Sequence, residues 1–166
     1  MVLDFLCNAL KDESSAILPS FEVGDIAQII GTTEAGTPLE NVKNLNKDEK
    51  ILKAIPSIEF EDKFMSNLSE IEAEINENRP IIVWVLLSID SRRYVHSVVI
   101  TGVDVLKQRV YYNDPIFGQK EEQIGTFMRM WDGVDRTLIK VKIGKREQRL
   151  LDEWLRMRQQ EGGVSQ

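Results

Sequence analysis

The chain has 166 residues, 42% hydrophobic and 29% charged, enough for the core of one domain or one domain with an appendage. A net charge of −6 argues against general affinity for nucleic acid or anionic membrane, either of which asks for a basic face. One cysteine and one histidine exclude an internal disulfide and a zinc cluster, and no cofactor is expected.

In chain order, the first half reads helical. Val2, Leu3, Leu6 and Leu10 recur at helical spacing, so residues 1–11 are predicted as an amphipathic helix whose apolar face begins at the first residue, with no N-cap. Ser20 suits the cap of a second short helix with Val23, Ile26, Ala27 and Ile30 inward, ended by Gly31. Residues 31–37 read as a turn-rich loop, and Pro38 opens a third short helix through Leu45. Pro56 breaks the chain before a strand at 57–60. Ser66 or Ser69 then starts a helix carrying Leu68, Ile71 and Ile75, with Glu70, Glu72, Glu74 and Glu77 on a solvated face.

At Pro80 the period changes. Ile81–Ile89 is a nearly continuous apolar, β-branched run, predicted as a buried central strand. A turn at 90–93 leads to a strand over Tyr94–Val103, a turn at 104–107 to a strand over Gln108–Asn113, and Pro115 and Gly118 mark a loop. Thr126–Trp131 reads as a helical turn, Thr137–Ile143 as a last strand, and Trp84 and Trp131 as core. Helices first and antiparallel strands after predict an α+β fold. The expected division is a domain over 1–143 and a C-terminal amphipathic helix and tail over 144–166. That helix carries a narrow stripe of Leu150, Leu151, Trp154 and Leu155, readable as docked on the domain or as a partner-binding or self-association surface.

Asp4 follows Met1-Val2-Leu3 too soon for a secretory signal, and the longest apolar stretch, Ile81–Leu87, is far short of the ~20 residues that span a bilayer. A cytoplasmic location without membrane insertion is therefore expected, on condition that Met1 is the true start.

One constellation carries chemistry. His96 stands near the start of one strand and Asp114 at the end of the next, so a hairpin turn at 104–107 brings residues near 96 beside residues near 114. A carboxylate there would fix the imidazole tautomer and stabilise the imidazolium formed when a nucleophile loses its proton. From spacing alone, a half-buried strand histidine beside an Asp-Pro turn is the favoured reading.

The pattern His96-Ser97-Val98-Val99-Ile100-Thr101-Gly102-Val103-Asp104, then Asn113-Asp114-Pro115-Ile116-Phe117-Gly118, resembles the histidine and aspartate segments of double-glycine-leader (bacteriocin-processing) cysteine peptidases. Asn76-Glu77-Asn78-Arg79-Pro80 is similar to the turn before that family's histidine strand, and the 31–37 loop to its segment after the first helices. The resemblance covers residues 1 to about 143. It implies a papain-like fold of N-terminal helices on an antiparallel sheet, with His96 as general base, Asp114 as orienting acid and a cleft for a peptide or unfolded segment. Met1-Val2-Leu3-Asp4-Phe5-Leu6 is similar to the stretch one to two turns after the family's cysteine, so that cysteine, and its oxyanion-hole glutamine, are expected upstream of Met1.

Cys7 is the alternative nucleophile. A reactive cysteine is favoured at a helix N-terminus, where N–H groups and the dipole support the thiolate. Cys7 falls inside the predicted helix on its apolar side, with no glutamine before it, and is expected to be structural. The functional expectation is a degenerate or truncated peptidase-like domain that binds peptide. The alternative is an active peptidase whose nucleophile comes from upstream or, less favoured, from Cys7.

Overall fold

In a computed structural model, residues 3, 6, 7, 10, 23–33, 37–89 and 92–162 are described. The Ser20 cap, residues 34–36 of the loop and the Asp90-Ser91 turn lie outside them. The chain divides into two compact units, Met1–Phe60 with Lys142–Gln166, and Glu61–Val141.

In the first unit, Leu3, Leu6 and Cys7 are helical and buried. Helix α1 (Val23–Ile29) stops as its sequence demands. Gly31 takes φ +63, the Thr32 N–H bonds back to Ala27 O and the Gly31 N–H to Gln28 O, which is a Schellman closure. A 3-10 helix (Leu39–Lys47) follows Pro38 and buries Val42 and Leu45. Helix α2 (Glu49–Ala54), not foreseen, is capped by Asp48, whose carboxylate accepts the Ile51 N–H. Asn46 brackets Phe60 with two bonds, Nδ2–H to its carbonyl (2.9 Å) and Oδ1 from its N–H (2.7 Å). Helix α5 (Lys145–Gly162) buries Leu151 and keeps Leu150, Trp154 and Leu155 half-buried, with the Arg158 guanidinium 5.0 Å from the Trp154 ring centre.

A six-stranded sheet runs in the order β1-β6-β2-β3-β4-β5, built from β1 (Glu59–Lys63), β2 (Ile81–Ile89), β3 (Arg92–Asp104), β4 (Arg109–Asp114), β5 (Gly118–Gln123) and β6 (Leu138–Lys142). The expected α+β class is what the structure shows. Strand β2 is central, antiparallel to β3 on one side and to β6 on the other. Its register pairs Ile81 with Ile100, Val83 with Val98 and Val85 with His96, so these six residues share one face. All but His96 are buried.

Helix α3 (Leu68–Asn76) packs on β3 and β2, and helix α4 (Ile124–Asp132) packs chiefly on β2. The core joins Ile71, Phe127 and Trp131 to the apolar residues of that sheet face. Trp131 is fully buried and its Nε1–H donates to Thr137 O at 2.9 Å, so its one polar group is satisfied.

Several expectations shift. The start of α3 is set by Asn67 rather than Ser66 or Ser69: Asn67 accepts the Glu70 N–H, and the Glu70 carboxylate returns to the Asn67 N–H. Glu74 is not on a solvated face. It is buried between Arg79 (2.7 Å) and Lys140 (2.9 Å), two cations that offset its loss of water. Arg92 and Arg93 belong to β3, and Gly118, expected to mark a loop, instead opens β5, whose residues 119–123 had no expected element.

Candidate active site

The hairpin of β3 and β4 pairs Val99 with Asn113 and Ile100 with Tyr112, then slips by one residue between Ile100 and Gly102. One rung past Val99 and Asn113, Asp114 faces Val98. His96 is two residues further along β3, on the same face, so it and Asp114 are diagonal neighbours. Their side chains meet: Nε2 of His96 lies 3.0 Å from Oδ2 of Asp114. Both are largely enclosed, with 16% of the imidazole and 6% of the carboxylate side chain exposed.

A short loop grips the other carboxylate oxygen. Asp114 pairs with Gly118 across β4 and β5, leaving Pro115, Ile116 and Phe117 as a three-residue connection. Oδ1 of Asp114 accepts the N–H of Ile116 at 2.7 Å and of Phe117 at 3.0 Å, an Asx turn. Burial alone would raise the Asp114 pKa. The N–H groups of Ile116 and Phe117, with His96 behind them, outweigh burial and hold the carboxyl below its ordinary range.

That charge state decides the proton's place. An ionised carboxylate only accepts, so the contact at 3.0 Å requires hydrogen on Nε2. In the neutral ring Nδ1 is then the nitrogen able to take a proton, the arrangement of a base oriented by an acid. Around the pair, Tyr94, two residues before His96 on the same face, is 45% exposed, and the side chains of Ile116 and Phe117 project from the loop at 71% and 60% exposure. Lys120 Nζ lies 5.5 Å from the Phe117 ring centre.

The two residues singled out by the motif are thus brought together. The loop amides were missed, although Asp-Pro-x-x-Gly is a readable signal for a turn closed on its own aspartate. Cys7 is buried, 4% exposed. Among the described residues no group of three or more His, Cys, Asp and Glu is placed to hold a metal ion, and no helix is long and apolar enough to cross a membrane.

Residues 13–139 match the model of the Peptidase_C39-like family. A Bacillus anthracis protein solved by crystallography and assigned as a C39-like peptidase is similar at 15% identity with a TM-score of 0.45, over 66% of this chain and 62% of that one. The aligned part thus spans less than two thirds of that protein. No curated protein matches the sequence. With the family match running over most of its length, the chain belongs to the Peptidase_C39-like family.

Proposed function

We propose that this is a peptide-binding, cysteine-peptidase-like domain in which His96 is the base and Asp114 its orienting acid, and in which Cys7 is not the attacking group. The observation that carries the reading is the 3.0 Å contact between Nε2 of His96 and Oδ2 of Asp114 at the end of the β3–β4 hairpin. In catalysis of this type a thiol gives its proton to Nδ1, the thiolate attacks the scissile carbonyl, and the imidazolium is stabilised by the carboxylate before it returns the proton to the leaving amine. A thiol 4% exposed is poorly placed to meet a substrate carbonyl. Without a nucleophile, a base and acid do not replace the attacking atom, whose removal costs roughly 10⁶-fold in turnover.

What remains is recognition of an extended peptide or unfolded segment in a cleft beside His96, in a cytoplasmic protein with no membrane insertion. Family membership favours a second reading, an active peptidase whose cysteine is supplied by a segment outside this sequence or by another chain. The helix and tail over 144–166 are proposed as a separate element for a protein partner or self-association, tested by comparing the sedimentation of the full and shortened chains.

Calorimetric titration with double-glycine leader peptides and unfolded segments, run beside a cleavage assay, separates the readings. Binding without hydrolysis is expected, weakened about tenfold by His96→Ala, the equivalent of one lost polar contact. Specific cleavage abolished by Cys7→Ala overturns the proposal. Cleavage that appears only when a longer chain or a second chain supplies a cysteine, survives Cys7→Ala and is lost in His96→Ala supports the second reading. The absence of both binding and cleavage overturns the peptide-binding reading for this chain.

A further inference from the structure

The Asp114 carboxylate is held at both oxygens, and only one of them faces His96. The other is fixed entirely by main-chain N–H groups of a three-residue loop that closes on Gly118. Gly118 has φ +72, in the left-handed region, and a Cβ added there would meet nothing within 4 Å. Packing therefore does not account for glycine at this position; the backbone conformation does.

We propose that Gly118 is a positioning residue for His96: its left-handed backbone closes the loop so that the N–H groups of Ile116 and Phe117 hold Oδ1 of Asp114 and leave Oδ2 aimed at Nε2. A two-bond grip on one oxygen removes the rotation of the carboxylate about its own axis. The remaining oxygen then has a fixed direction, and the imidazole follows it. An L-residue with a Cβ at position 118 is disfavoured in that conformation, whereas asparagine tolerates it. Substitution there thus tests backbone conformation with little change in contacts. The role as base rests on the function proposed above, but the geometric claim does not, because its readouts need neither peptide nor turnover.

The chain has one histidine, so its imidazole N–H proton has an unambiguous NMR assignment. In the wild type the Nε2 proton, bonded to a carboxylate, is expected as a slowly exchanging resonance downfield of the amides. Gly118→Ala should broaden or lose it, and Gly118→Asn should retain it. The amides of Ile116 and Phe117 should exchange at least tenfold more slowly than unprotected loop amides in the wild type, a measurement that stands even if Gly118→Ala does not fold. The proposal is overturned if folded Gly118→Ala keeps the imidazole resonance as the wild type does, if Gly118→Asn loses it equally, or if both amides exchange at the unprotected rate. Failure of peptide binding with these signals intact would instead remove the functional reading and leave the positioning role standing.

Discussion

At the scale of single residues, the chain separates its two chemically notable groups by environment. His96 keeps part of its ring in solvent beside a carboxylate, while Cys7 is enclosed on a helix. Cys7→Ala should cost about 1–2 kcal/mol, a small buried group lost with partial collapse, measured as a shift in urea midpoint. The native thiol should react slowly with a chromogenic disulfide reagent and quickly once urea unfolds the chain. Fast native modification that disappears in His96→Ala would make Cys7 the nucleophile. The helical spacing that placed Cys7 on an apolar side was enough to anticipate its burial. The His96–Asp114 pair was legible as well, because two strands and a short turn leave few ways for their ends to meet. The grip of the Ile116 and Phe117 amides depends on loop dihedrals that spacing does not encode.

Among elements, legibility tracks whether the signal is local. The start of α3 was readable in principle: Asn67 followed three residues later by Glu70 is a capping box, and the serines on either side obscured it. Asn67→Ala should cost about 1 kcal/mol, seen as a lower urea midpoint with an unchanged slope, and Asn67→Ser should be nearly neutral. Equal losses for the two variants would mean that the cap does not set the end of α3. Strand β5 was not readable. Gly118-Gln119-Lys120-Glu121-Glu122-Gln123 has no apolar alternation and no β-branched residue, and it forms a strand because β4 offers it a ladder from Asp114 to Arg109. Its charged, exposed side chains also suit an edge, where they discourage pairing with another chain. Helix α2 was missed for a related reason: six residues are too few to show a helical period, and the Asp48 cap carries the signal.

For the molecule as a whole, the α+β class was visible because the hydrophobic period changes at Pro80, but its electrostatic anchor was not. Four glutamates near one another on a helix look like a solvated face, and only the tertiary fold brings Lys140, opposite Ile81 on β6, to Glu74. Burial raises the Glu74 pKa, but its bonds to Lys140 and Arg79 prevail and leave it below the ordinary value; Asp114 is likewise held low. A carboxyl lowered on folding contributes stability that is complete above its unfolded value, about 4, and is lost as pH falls through the folded value. These two groups therefore add little slope between pH 7 and 5, and stability should fall steeply below about pH 4. Glu74→Gln leaves two cations facing a neutral amide and should cost about 3 kcal/mol at pH 7 by urea unfolding. The same substitution should cost far less at pH 2, where the wild-type carboxyl is itself being neutralised. A loss of equal size at both pH values would show that Glu74 acts through packing and hydrogen-bond geometry rather than through its charge.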